Sequence, residues 1–239
     1  MSKPALLLVD DAPDLGVIVT ALGRRCGCEV AWRPDGASAW EYLQTARPDL
    51  ILLDVGLPGE SGLELCRRLR AFPPLADLRV ALFSHWGLPA VVAAGLDAGA
   101  DFLLSKDLVC KPDEWQRRLR EALSWRRGEP AEAPGGPPRP AADWVACVNQ
   151  ALAHPSLRRA GPDVVRVLLR RALREALPGH AVADSWLSPG GAALDGVPPL
   201  AAAEAEALVC ALADLAWRLL GADASAAFRS ALAGAVTAS

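Results

Sequence analysis

The chain has 239 residues, 52% hydrophobic and 22% charged, with a mean hydropathy of +0.20, which excludes a disordered chain and allows one large domain or two ordinary ones. A net charge of −3, from 25 basic and 28 acidic residues, argues against non-specific nucleic-acid binding by the whole chain. Six cysteines are too sparse for a disulfide scaffold, no signal peptide precedes them, and no apolar run reaches the roughly 20 residues of a membrane span, so the expectation is a cytoplasmic protein without a membrane segment.

The first half alternates short apolar runs with amphipathic stretches. Ala5–Val9 is too short for a buried helix and reads as a strand, followed by Leu15, Ile18, Val19 and Leu22 at helical spacing. Cys26 and Cys28 form a C-x-C with no second pair at ligand spacing, and read as thiols rather than metal ligands. Glu29–Trp32 is a short strand and Ala37–Leu43 a helix. Leu50–Asp54 is a buried strand before a helix over Gly62–Leu69. Val80–Ser84 (strand), Ala90–Leu96 (helix), Asp101–Ser105 (strand) and Asp113–Trp125 (helix) complete five β/α units. Apolar strands alternating with helices predict a five-stranded, doubly wound parallel sheet covered on both faces.

Polar residues stand where such a sheet binds ligands, at the carboxyl ends of its strands. Asp10 and Asp11 end the first strand, Asp54 the third and Ser84 the fourth. Lys106, one of only three lysines, follows the fifth. Three carboxylates in one crevice repel one another unless a cation joins them, and Mg²⁺ fits while leaving positions open for phosphate oxygens. Lys106 adds a second positive charge and Ser84 a hydroxyl donor. These are the parts needed for in-line phosphoryl transfer onto a carboxylate. A single acid at a strand end is more often a helix cap; five suited side chains together are not accounted for that way.

The segments LLVDDAPD, LILLDVGLPGESGLEL, VALFSHW and GADFLLSKD resemble the motifs of the receiver domain of two-component response regulators, from roughly Ala5 to Leu123. The resemblance implies a flavodoxin-like fold with Asp54 as phosphoacceptor, charged by a sensor histidine kinase or phosphotransfer protein. It implies Mg²⁺ bound directly by Asp11, Asp54 and the backbone carbonyl of Gly56, and through water by Asp10. Ser84 and Lys106 would contact the phosphoryl group, and Pro58 and Gly62 would shape the turn after the acceptor strand.

Three positions depart from the family pattern. An aromatic ring often stands three residues before the lysine; here that residue is Leu103, with Phe102 one earlier as the candidate switch. The lysine is commonly followed by a cis proline, but Asp107 follows Lys106, so a trans bond or a strongly constrained loop is expected. Trp86, two residues after Ser84, is expected to overhang the site and slow hydrolytic water.

Five prolines and three glycines in Gly128–Pro140 predict a semi-extended linker between a receiver over 1–127 and a second domain over 141–239. That second half reads as mostly α-helical: Asp143–Leu152, Val164–Leu177, Ala201–Leu220 and Ala224–Val236, with a hairpin or irregular loop over His180–Val197. Arg166, Arg170 and Arg174 recur at four-residue spacing and are candidates for a partner-binding stripe, or for a solvated face opposite Val164, Val165, Leu168, Leu169 and Leu173. His180, Asp184 and Ser185 lack the spacing of a hydrolase site, and Trp144, Trp186 and Trp217 read chiefly as core.

The sequence therefore reads as a response regulator: a phosphoacceptor signalling protein rather than an enzyme, with a helical output or dimerisation domain that binds a protein target as a homodimer. Two alternatives stay open. One is a DNA-binding transcriptional regulator, disfavoured because the second half carries eight basic and nine acidic residues. The other is a receiver-like domain that accepts no phosphate.

Overall fold

The computed structural model describes residues 3–85, 89–125, 144–153, 155, 157, 161–177, 186–188 and 193–220. In chain order the elements are β1 (Ala5–Val9), α1 (Pro13–Arg25), β2 (Glu29–Arg33), α2 (Gly36–Leu43), β3 (Leu50–Leu53), α3 (Gly62–Ala71), β4 (Val80–Ser84), α4 (Pro89–Asp97), β5 (Phe102–Ser105), α5 (Pro112–Ser124), α6 (Trp144–Leu152), α7 (Pro162–Ala176) and α8 (Ala202–Leu220). Short 3₁₀ turns occupy Pro73–Leu75 and Lys106–Cys110. By contacts between Cα atoms the chain divides into two units: Met1–Leu88 with Asp97–Glu129, and Pro89–Leu96 with Pro130–Ser239.

The first unit is built on a parallel five-stranded sheet in the order β2-β1-β3-β4-β5. Leu7, Leu8 and Val9 of β1 and Leu50, Leu52 and Leu53 of β3 are all fully buried. Successive side chains of a strand point to opposite faces, so both faces of the central sheet are covered. Strand order reverses between β1 and β3. That places the crevice of an open α/β sheet beside the carboxyl ends of these two strands.

Local chemistry sets the helix starts. The Asp35 side chain accepts the Ser38 N–H at 2.7 Å at the head of α2, and this bond, the main influence, holds its carboxyl below the ordinary value. Ser61 and Glu64 form a reciprocal capping box on α3. Proline stands in the first turn of α1, α5 and α7, where its missing N–H costs nothing.

Several element ends differ from the expectation by a residue or two, and two of these have a tertiary reason. β5 begins at Phe102 because Asp101 turns its side chain inward, accepting from Val80 N–H at 2.9 Å and pairing with Arg70 at 2.8 Å. α5 stops at Ser124 because Trp125 is extended and buried. Its ring meets Phe102 edge-on at 5.3 Å, while Arg79 donates to its carbonyl at 2.8 Å.

In the second unit, α7 buries the face read from its periodicity: Val164, Val165, Leu168, Leu169 and Leu173 are at most 3% exposed. It packs with α8, whose Leu208, Leu212, Leu215 and Leu219 are fully buried. Arg218 is buried as well and pairs with Asp214 at 2.8 Å and Glu175 at 3.4 Å. Leu187 and Leu194 form an antiparallel bridge within the segment read as a hairpin or loop. The expected linker over 128–140 and the helix over 224–236 lie outside the described residues.

Candidate functional site

Asp10 and Asp54 each sit one residue beyond a strand, and the sheet ladder carries on into their backbones. Asp10 N–H donates to Arg33 O at 3.0 Å and Asp54 N–H to Val9 O at 2.9 Å. Both carboxylates therefore project from hydrogen-bonded strand ends rather than from free loops. Asp10 Oδ1 accepts the Ala12 N–H at 3.0 Å and Asp54 Oδ1 the Val55 N–H at 2.8 Å, which leaves one oxygen of each turned to the crevice.

Lys106 occupies that crevice. Its Nζ lies 2.7 Å from Asp10 Oδ2 and 3.0 Å from Asp54 Oδ2. Asp10 is fully buried and Asp54 is 8% exposed, so these are ion pairs with little water to screen them. Burial alone would push the Lys106 ammonium down, and it is the largest single influence. The hydrogen bonds and charges of the two carboxylates together outweigh it and hold the lysine above its ordinary value.

Asp11 is exposed at the rim and completes the acidic group. Among the described residues only Asp10, Asp11 and Asp54 form a cluster in which each offers an oxygen within 4.8 Å of the others. An all-oxygen set open on one side suits a hard divalent cation that keeps waters or takes phosphate oxygens. The residues fit the ion expected from the sequence.

The neighbouring positions take these places. A Cβ on Gly62 would stand 1.8 Å from the Asp54 carbonyl oxygen, so only glycine lets α3 start against the end of β3. Gly56 lies beside Asp54: a Cβ there would be 3.7 Å from Asp54 Oδ2. Ser84 is half-buried at the end of β4, in register with Ser105 of β5. Ser105 in turn caps the 3₁₀ turn that Lys106 opens, accepting the Asp107 N–H at 3.1 Å. The Lys106–Asp107 bond is trans, since no described peptide bond is cis.

Phe102 starts β5, at the opposite end of the strand from Lys106, and is held against Trp125. Trp86 lies outside the described residues. Arg166, Arg170 and Arg174 are on α7 in the second unit, where Arg166 pairs with Asp163 at 3.3 Å and Arg174 Nε donates to the Arg170 carbonyl at 3.4 Å.

One residue at the site escaped the sequence argument. Trp32 Nε1 donates to the backbone carbonyl of Asp10 at 2.8 Å. Its sequence signal is a lone large aromatic near the end of β2, and strand spacing does not reveal where the ring reaches.

The first half of the chain is similar to known proteins. The DNA-binding response regulator MtrA of Mycolicibacterium smegmatis is 36% identical over 130 residues, covering 54% of this chain and 55% of that protein. The response regulator RppA of Synechocystis is 40% identical over 106 residues, 44% of either chain. The chain thus spans about half the length of these curated relatives. Among solved structures, the signal receiver domain of a signal transduction histidine kinase from Syntrophus aciditrophicus is 30% identical, with a TM-score of 0.47, over 51% of this chain and 90% of that one. Residues 6–120 match the family model described as the response regulator receiver domain, and this part of the chain belongs to that family.

Proposed function

We propose that the chain is a response regulator that takes a phosphoryl group on Asp54 from a phosphohistidine of a sensor histidine kinase or phosphotransfer protein. The observation that carries the reading is the single ammonium of Lys106 shared by the Asp10 and Asp54 carboxylates beside Asp11. In the transfer, an Asp54 oxygen bonds to phosphorus as the N–P bond of the donor breaks, and the imidazole nitrogen keeps the electron pair. Asp10, Asp11, Asp54 and the Gly56 carbonyl would hold Mg²⁺, which when bound offsets the charge on the phosphoryl oxygens. Lys106 supplies a fixed positive charge on the other side, and Ser84 a hydroxyl that donates to a phosphoryl oxygen.

The division into a receiver over 1–127, a linker over 128–140 and an output domain over 141–239 belongs to the same proposal. A protein target, engaged by a homodimer, is favoured for the output domain. Supporting this are its near-neutral charge and the pairing of Arg166 with Asp163 and of Arg171 with Glu175. The MtrA relative is named as DNA-binding, so duplex binding is the second reading. Binding of the full chain to duplex DNA that falls steeply with salt, and is lost in Arg166→Ala/Arg170→Ala, would establish it instead.

Beryllofluoride, a phosphoryl analogue, tests the site itself. With Mg²⁺ it should bind the full chain and fail to bind Asp54→Asn. A wild type that binds neither Mg²⁺ nor beryllofluoride would mark a receiver fold that accepts no phosphate.

A further inference from the structure

Strand β2 contributes none of the acidic residues, yet it reaches the site through one side chain. Trp32 pairs in register with Leu8, two residues before Asp10, and its indole N–H bonds to the Asp10 carbonyl at 2.8 Å. That carbonyl belongs to the peptide joining Asp10 to Asp11. Its tilt determines how the second acid leaves the strand end. Asp10 N–H is already held by Arg33 O at 3.0 Å. The indole therefore secures the far side of the same residue, and Asp10 is gripped by β2 at both its backbone polar groups.

The ring itself is seated by α1. A Cβ on Gly16, a buried position of that helix, would stand 3.0–3.2 Å from Cγ, Cδ1 and Cδ2 of Trp32. The absence of a side chain at Gly16 leaves room for the indole that reaches the Asp10 carbonyl. The Asp11 side chain is exposed at the rim, and its backbone is flanked by two bonds, the Trp32 indole to the Asp10 carbonyl and the Ala12 N–H to Asp10 Oδ1. We infer that Trp32, seated on Gly16, is a positioning residue for cation binding: its indole N–H sets the Asp10–Asp11 peptide so that both carboxylates meet one divalent ion.

This inference rests on the cation-binding reading above, and Mg²⁺ alone tests it on the full chain. Trp32→Phe keeps a ring over Gly16 and deletes the donor. Its Mg²⁺ affinity by titration calorimetry should fall by about tenfold, the scale of losing an outer hydrogen bond to a metal site. In wild type, the Trp32 indole N–H resonance, assigned by its disappearance in Trp32→Phe, should shift when Mg²⁺ is added; a merely structural tryptophan would not respond. Gly16→Ala must push the ring by a few tenths of an ångström and should weaken Mg²⁺ in the same direction, which decides the matter if Trp32→Phe does not fold. Wild-type affinity in Trp32→Phe, or in Gly16→Ala where that variant decides, overturns the positioning role while leaving the cation site standing. A wild type that binds no Mg²⁺ overturns both.

Discussion

Lys106 Nζ stands 3.0 Å from Asp54 Oδ2, in a crevice where the lysine side chain is only 12% exposed. The proposed nucleophile and its counter-charge form one preorganised pair, so the positive charge need not be recruited when a phosphoryl group arrives. Because the same ammonium also holds Asp10 at 2.7 Å, its removal has a stability effect besides a functional one.

Lys106→Met should cost about 3 kcal/mol of stability by urea unfolding, since it leaves the fully buried Asp10 without its cation. Saturating Mg²⁺ should restore part of that loss, and beryllofluoride binding should drop sharply. The pH dependence has a definite sign. The folded-state value of Lys106 is raised above the ordinary 10.5, so its contribution is complete below about pH 10 and fades as pH climbs through the raised value. The stability gap between wild type and Lys106→Met should thus be flat from neutral pH to about pH 10 and narrow above it.

Gly62→Ala places a methyl group 1.8 Å from the Asp54 carbonyl oxygen, a backbone atom that has no rotamer with which to move aside. The start of α3 or the end of β3 must shift. We expect a loss of about 2–3 kcal/mol in the unfolding free energy. Beryllofluoride binding should also weaken, because displacement of the Asp54 backbone carries its carboxylate with it.

Arg70 and Asp101 are a buried ionic clip: Arg70 Nη2 meets Asp101 at 2.8 Å, Nε donates to Gly99 O at 2.8 Å and Nη1 to Leu78 O at 2.8 Å. Arg70→Met takes the guanidinium away from the carboxylate of the fully buried Asp101, which keeps the Val80 N–H, and should cost about 3 kcal/mol by denaturant unfolding. Adding Asp101→Leu should cost less than the sum of the two single changes, a coupling that a double-mutant cycle measures.

Asn149 is the polar joint of the second unit. Its Oδ1 accepts the Leu194 N–H at 2.7 Å and its Nδ2 donates to the Leu194 carbonyl at 2.9 Å, tying α6 to the Leu187–Leu194 bridge. Asn149→Ala should destabilise this unit by about 1–3 kcal/mol. In the full chain the effect should appear as faster amide exchange at Leu194, with exchange in β1 and β3 unchanged.

The sheet and its acids were legible because short apolar runs bounded by carboxylates allow few alternatives. ALLLV followed by two acids and LILL followed by one can only be buried strands ending at a polar crevice. The α7 face was legible for a similar reason, since its apolar residues repeat with the helix. Less was legible where a side chain acts on backbone far away. Asp101 looked like the first residue of a strand and is instead the partner of Arg70, 31 residues earlier. Phe102 was a candidate switch by its nearness to Lys106, yet a strand of four residues carries it to the far end of β5, against Trp125.

Sequence by itself determined which residues end the strands, and hence that Asp10, Asp11, Asp54 and Lys106 would share one crevice. Tertiary structure decided how they are held there. It made one ammonium bridge two carboxylates, forbade any side chain at Gly62, and sent the Trp32 indole across from β2 to the Asp10 carbonyl, 22 residues away. Periodicity encodes which face a residue takes within its own strand or helix. Strand register and the seating of α1 on β2 set the distance between residues on different elements, and these arise only when the whole sheet is assembled.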